Sequence, residues 1–235
     1  MIASITQMNA AAIWLVIGMG AFVGTHFLFS HPLRAGLVRR FGAGGFQVIY
    51  SLVALATFSW AVLVFGQAPS VPMLWDGQAF IPWLLATVLT YGVVALFLAS
   101  VIGNPALAGA KISGLSTVLP SGVFRVTRHP MMFSFALWGV THILIAPSPR
   151  TIILSGGIIL LALLGSHFQD RKKKALYGQD WRVWMKRTPF WPDLTKLNEL
   201  GQAWIWAFPV WLLLTWLHLP MAQVPAGVWR WLEQF

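Results

Sequence analysis

The sequence predicts an all-α fold, a polytopic integral membrane bundle of about six transmembrane helices with both termini on the non-cytoplasmic side. The first observation is composition: 57% of the 235 residues are hydrophobic and only 9% are charged, against about 25% charged in soluble domains. The second is that several apolar stretches are long enough to cross a hydrocarbon core about 30 Å thick. The third is the alternation of basic and uncharged connections between them. One compact domain over residues 1–235 is expected.

The apolar stretches are separated by Gly, Pro and charged residues, which set approximate helix ends. The connection between the fourth and fifth stretches contains only Pro147-Ser148-Pro149-Arg150, and proline pairs do not continue a helix, so a tight helical hairpin is expected there. The segment from Asp170 to Phe190 is basic and aromatic, which is typical of an amphipathic helix on the cytoplasmic membrane surface. The six predicted spans are Ala11–Phe29, Phe46–Phe65, Ile81–Ile102, Met131–Ala146, Thr151–Phe168 and Ala203–Leu219.

Basic residues follow this span pattern. Fourteen of the sixteen Lys and Arg residues, Lys111 among them, fall in the first, third and fifth connections, and only Arg150 and Arg230 fall elsewhere. The positive-inside rule places those three connections in the cytoplasm, and a multi-pass protein of the cell inner membrane is expected. The net charge of +10 therefore reports topology and attraction to anionic headgroups. We expect the lipid bilayer as a partner and no nucleic acid; a homo-oligomer is possible.

Histidine is the ionisable residue type left inside the predicted spans. All six acidic residues are predicted in loops or at ends, so a carboxylate proton relay is not expected, and the absence of cysteine excludes disulfides and thiolate ligands. His26 shares a helical face with Phe22, and His142 shares one with Phe135 and Trp138. A neutral imidazole beside large apolar side chains suits axial ligation of haem iron. A hydrogen bond to a neighbouring helix is the alternative, and composition alone favours it.

A second candidate site lies at the start of the fourth span. Pro130 suits the first helical position, which makes His129 a boundary residue. Together with Arg125 and Arg128, it predicts a site at the cytoplasmic interface for an anion or for the acidic tail of a cofactor. An anchor that contacts lipid headgroups is the alternative.

Several motifs in combination resemble the NnrU family, which is similar to the plant 15-cis-zeta-carotene isomerases. The resemblance covers roughly residues 20–190. It is carried by Gly24-Thr25-His26, His31-Pro32-Leu33-Arg34, Tyr50-Ser51-Leu52, Gly122-x-x-Arg125-x-x-Arg128-His129-Pro130-x-Met132, Leu137-Trp138-x-x-Thr141-His142, and the later Asp170-Arg171, Tyr177-Gly178 and Lys186-Arg187-Thr188.

The resemblance implies a haem b protein with two histidine ligands, which map onto His26 and His142. Arg34 joins the residues expected to contact the cofactor. In the plant isomerases a cysteine stands three residues before the second ligand, and here that position is Gly139. The implied functions are cis–trans isomerisation of a hydrophobic polyene, or redox or sensing chemistry linked to nitric oxide and denitrification.

Two further hypotheses stay open. The Arg-His-Pro-x-Met motif also resembles membrane isoprenylcysteine and phospholipid methyltransferases, in which case Arg125, Arg128 and His129 would help to hold S-adenosylmethionine. Those enzymes carry paired acids after the penultimate helix, where this chain has only Asp170. A non-catalytic assembly factor for denitrification enzymes is the third hypothesis.

Overall fold

A computed structural model describes residues 2–68, 72–107, 109–110 and 112–232, with side chains from residue 10 onward. Within this part of the chain the secondary structure is helical throughout, without a strand, so the all-α prediction is confirmed. Lys111, assigned above to the cytoplasmic side, lies outside the described residues. Two short 3₁₀ helices, 115–117 and 194–200, accompany the α-helices. The α-helices are α1 Ile2–Ser30, α2 Arg34–Gln67, α3 Phe80–Ser100, α4 Val123–Val126, α5 Pro130–Ile145, α6 Pro149–Tyr177, α7 Gln179–Arg187, α8 Ala203–Trp216, α9 His218–Ala222 and α10 Trp229–Leu232.

Five of the described helical segments are long and apolar enough to cross a membrane: Ala10–Ser30, Arg34–Gln67, Phe80–Ser100, Pro149–Tyr177 and Ala203–Ala222. The predicted fourth span corresponds to α5, which is shorter, with 16 residues. At 1.5 Å per residue it extends about 24 Å, less than a typical hydrocarbon core. The protein is thus a multi-pass helical membrane protein, while the count of six and the orientation of the termini stay predictions.

Two helices extend well beyond the predicted spans. The connection before Phe46 is helical, so α2 begins already at Arg34 and bends at Gly42, whose positive φ of 71° is accessible to glycine. Helix α6 continues past Phe168 to Tyr177, so Asp170 lies within α6 and not at the start of a separate amphipathic helix. Gly178, with φ 54°, then separates α6 from α7. Arg34 and Asp170 are therefore fixed on helices.

The tight turn between α5 and α6 is as predicted. Ser148 caps α6 by accepting a hydrogen bond from the Thr151 amide, and Pro149 takes the first helical position. Gly139 of α5 lies so close to α6 that an added Cβ would stand 3.0 Å from the Ser155 carbonyl oxygen. This close approach holds the second half of α5 against the first half of α6.

The helices pack as two groups joined by the α5–α6 pair. Helices α1 and α2 pack against each other and against α6, around Leu15, Met19, Ala61 and Leu154. Helix α3 packs against α5, and α8 packs against α3; the amphipathic α7 contributes the buried Trp181 and Trp184 to the same core. Between the two groups α1, α2, α5 and α6 surround a cavity.

Candidate cofactor cavity and the Asp170 cluster

The cavity has a volume of about 930 Å³, within the range of small-molecule and cofactor sites. Its walls come from α1, α2, α5, α6 and the turn after α3. Aromatic side chains form much of the lining: Phe22, Phe27, Phe46, Tyr50, Phe58 and Phe135. An apolar space of this kind suits a flat or elongated hydrophobic molecule.

His26 faces this cavity from α1. Its Nδ1 lies 2.8 Å from the carbonyl oxygen of Phe22, one turn earlier. A carbonyl oxygen only accepts, so Nδ1 donates and Nε2 keeps its lone pair. The ring packs edge-on against Phe22 and Tyr50, with centroid separations of 4.4 Å and 5.3 Å. The residue is therefore oriented as a metal-binding imidazole normally is, with its second nitrogen held by a carbonyl.

His142 has the same local geometry at another place. Its Nδ1 donates to the carbonyl oxygen of Trp138 at 2.8 Å, and its ring stacks on the Trp138 indole at 4.0 Å. The next ring is that of His218, 6.2 Å away. His142 and Trp138 are not among the residues that line the cavity, whereas Phe22, Arg34 and Phe135 are. The structure thus does not bring His142 into the His26 site.

The lengths of the helices explain this separation. His26 lies four residues before the end of α1, close to the turn that leads into α2. His142 lies twelve residues after Pro130, about 18 Å along α5 at 1.5 Å per residue. In the described part of the chain, no three or more His, Asp or Glu side chains are grouped as ligands for one metal ion. Sharing of one haem by His26 and His142 stays a prediction from the resemblance.

The Arg-His-Pro motif forms a buried cluster around Asp170, which we call the Asp170 cluster: Arg128, His129, Asp170 and Trp181. Arg128 donates from Nε to Oδ2 at 2.9 Å, with a second guanidinium nitrogen 2.8 Å from the same oxygen. His129 Nε2 lies 3.0 Å from Oδ1, and the Trp181 indole donates to Oδ1 at 3.1 Å. Asp170 thus joins α5, α6 and α7 in one polar network.

The basic residues of the motif consequently already have protein partners. Arg128 is 7% exposed and His129 is 1% exposed. The remaining ring nitrogen of His129, Nδ1, lies 3.2 Å from Gln169 Oε1. Arg125 pairs with Glu199 at the surface. The negative charge that the sequence analysis expected from a ligand is supplied here by two acidic residues of the chain.

Three cations without an acidic partner among the described residues line the cavity. Arg34 of α2 and the consecutive Lys172 and Lys173 of α6 lie at its end near the α1–α2 turn, together with His31, and no Asp or Glu lines it among the described residues. Burial, and then the positive charges of Lys172 and Arg171, lower the pKa of His31 below its ordinary value. Arg34 is among the residues that the sequence predicts at a cofactor site. Lys172 and Lys173 are not, because the sequence places them in an amphipathic helix on the membrane surface.

Fold and site together define a class: a helical membrane protein with an aromatic, histidine-bearing cavity between its spans. The chain belongs to the NnrU family, since the family model described as NnrU protein matches residues 14–226. This confirms the resemblance noted in the sequence.

Curated relatives include the chloroplastic 15-cis-zeta-carotene isomerases of Zea mays and Arabidopsis thaliana. Each is 33% identical over 72 residues, a stretch that covers 31% of this chain and 20% of the relative. The match thus spans about a fifth of the length of these relatives. No solved structure matches the chain.

Proposed function

We propose that this protein is a membrane haem b protein that acts on a hydrophobic polyene by cis–trans isomerisation. The observation that carries the proposal is the aromatic cavity with His26 in its wall and a lone pair on Nε2. Similarity to proteins named zeta-carotene isomerases supports the reaction class. Residence in a cell inner membrane is part of the proposal.

The residues of the cavity fit a haem group. Its volume of about 930 Å³ lies at the upper end of the usual range for cofactor sites, and its aromatic walls match an apolar macrocycle. His26 would hold the iron through Nε2, with the Phe22 carbonyl fixing the ring. Phe22, Tyr50 and Phe135 would contact the faces of the macrocycle and exclude water.

When bound, haem would supply an iron centre whose redox and Lewis-acid properties depend on its axial ligands. The chain's part is binding and orientation. Exposed apolar side chains on α2, such as Leu52 and Leu55, suit contact with the bilayer, and a polyene would enter from there. His142 is the second axial ligand implied by the resemblance, and its position outside the cavity lining makes that assignment the sharpest point to test.

The test is an absorption spectrum of the purified protein, oxidised and reduced, after haem-sufficient expression. A Soret band that His26→Ala abolishes, and that His167→Ala leaves intact, is the expected result. No Soret band in the wild-type protein would contradict the proposal. If His142→Ala converts a low-spin spectrum to high-spin, His142 is the second ligand; an unchanged spectrum removes it from the site.

Two further measurements separate the functions implied by the resemblance. Conversion of a cis-configured carotene by the haem-loaded protein in liposomes supports the isomerase, with His26→Ala as the inactive control. Tight binding of nitric oxide to the reduced protein, with no turnover of any polyene, would support the nitric oxide-related role instead.

A further inference from the structure

The basic end of the cavity has a charge that the described side chains do not balance. Arg34, Lys172 and Lys173 all line it. Lys173 is 7% exposed, and its Nζ donates to the carbonyl oxygens of Pro105 and Leu107 at 2.8 Å and 3.3 Å. These bonds use two of its three donors but supply no negative charge. The Arg34 guanidinium lies over the ring of Phe46, 5.5 Å from its centroid. Because the ring has no net charge, the positive charge of Arg34 is not neutralised either.

Apolar and charged residues are separated along the cavity. On α1 the lining runs from Phe22 to His31, and on α6 it runs from Ile158 to Tyr177. Lys172 lies fourteen positions after Ile158, about 21 Å along the helix. The cations therefore lie together in the part of the cavity near the α1–α2 turn, and the lining of α6 before Gln169 is apolar. A ligand that matches both parts is an amphiphile with an acidic group at one end.

The arrangement has an electrostatic cost without such a ligand. Arg34 is close enough to Lys172 and Lys173 for their like charges to repel one another. Lys172 is half-buried, so water screens this repulsion less than it would on an open surface. An anionic group bound between Arg34 and Lys172 would attract both side chains, offset the repulsion between them and accept charge-assisted hydrogen bonds from both.

We propose that Arg34 and Lys172 form the binding site for the carboxylate of an amphiphilic ligand in the cavity, with Lys173 holding the adjacent turn. This inference rests on the proposed function in one respect: haem b, with its two propionates, is the amphiphile expected there. The site differs from the one predicted at Arg125, Arg128 and His129, whose side chains are paired with Asp170 and Glu199.

The experiment compares ligands that differ only in charge, using the full chain in lipid nanodiscs. Ferric haem and its dimethyl ester are titrated into haem-free protein and followed by the Soret band. We expect the wild-type protein to bind haem at least about tenfold more tightly than the ester, the scale of one charge-assisted hydrogen bond. The double substitution Arg34→Gln/Lys172→Gln is expected to remove this preference while ester binding stays unchanged.

The matched control is Arg39→Gln/Lys174→Gln, which removes the same charge from two exposed residues that do not line the cavity. The thermal midpoint of each variant shows whether it is folded. A second pair of probes, the fluorescent polyene cis-parinaric acid and its methyl ester, tests the site without haem.

The outcomes separate the two proposals. If haem does not bind but parinaric acid is preferred over its ester through Arg34 and Lys172, the carboxylate site stands and the haem function fails. If haem and its ester bind equally to wild-type protein and to the double variant, the haem function stands and the carboxylate site is wrong. If neither pair of probes binds, both proposals are wrong.

Discussion

Two groups of basic residues lie near the ends of α5 and α6, and they are arranged in opposite ways. In the Asp170 cluster, Arg128 and His129 share one buried carboxylate. At the end of the cavity, Arg34 and Lys172 face a lining without a carboxylate in the described residues. Less than one helical turn of α6 separates Asp170 from Lys172 and Lys173, so the contrast is not one of distance along the chain.

The difference indicates which group is structural and which is suited to bind a ligand. A buried charge without a partner is strongly destabilising, whereas a paired one stabilises only weakly relative to an apolar residue. The Arg-His-Pro motif, which is conspicuous in the sequence, thus serves to join α5, α6 and α7. Lys172 and Lys173 are less conspicuous in the sequence, but no carboxylate of the cavity lining neutralises their charge. An anionic ligand can therefore bind there.

The largest effect is expected from the paired group. Asp170→Asn removes the carboxylate and leaves Arg128, which is 7% exposed, without a counter-charge. Loss of one partner of a buried pair costs about 3–5 kcal/mol of unfolding free energy. Reversible unfolding in mixed detergent micelles measures it.

Glu199→Gln is the matched control, because it breaks the Arg125 pair at the surface, where Arg125 is 46% exposed. Exposed pairs contribute about 0–1 kcal/mol. Equal effects of the two substitutions would mean that the Asp170 cluster is not the structural element that we infer.

The contact between α5 and α6 is expected to show the next largest effect. A Cβ at Gly139 would lie 2.8 Å from Ile159 Cγ1 and 3.0 Å from the Ser155 carbonyl oxygen. Gly139→Ala should therefore destabilise the protein by about 1–3 kcal/mol, as overpacking does. Gly156→Ala in α6 is the control, since nothing lies within 4 Å of its Cβ. If Gly139→Ala is as well tolerated as Gly156→Ala, the helices are less closely packed there. A cysteine at position 139, as in the plant isomerases, should meet the same obstacle.

A smaller effect distinguishes the two neighbouring lysines of the cavity. Lys173→Met leaves the carbonyl groups of Pro105 and Leu107 without their donor and should cost about 1–3 kcal/mol. Lys172→Met should leave stability unchanged or slightly raised, because it relieves repulsion from Arg34, yet it should weaken haem binding. Unfolding and Soret titration of both variants test this division. A stability loss in Lys172→Met equal to that of Lys173→Met would assign Lys172 a structural role as well.

The sequence predicted the helical membrane fold and the tight turn between α5 and α6, because hydropathy and proline position are local properties. The assignment of His26 as an iron ligand stays a prediction. Sequence reasoning missed the pairing of Arg128 with Asp170, forty-two residues later. That pairing depends on α6 continuing past Phe168, where polar residues follow the apolar run and hydropathy alone predicts an end. The position of His142 relative to the cavity depends on its distance along α5 from Pro130 and on how α5 packs beside α1. No local sequence pattern specifies that packing.

The smallest predicted effect concerns the pH response of His31, beside the unpaired cations. Burial and the charges of Lys172 and Arg171 lower its folded pKa relative to about 6.5 in the unfolded chain. The unfolded chain then binds more protons as pH falls below that value, so the stability associated with neutral His31 is present above pH 6.5 and is lost as pH falls through the folded pKa. The thermal midpoint of wild-type protein minus that of His31→Gln should accordingly decrease from pH 7.5 to pH 5.

Lys172→Gln should raise the His31 pKa, measured by NMR of the imidazole, and so should a carboxylate ligand bound between Arg34 and Lys172. If neither Lys172→Gln nor bound haem changes the His31 pKa, then the charges of Arg34 and Lys172 do not act on the imidazole ring.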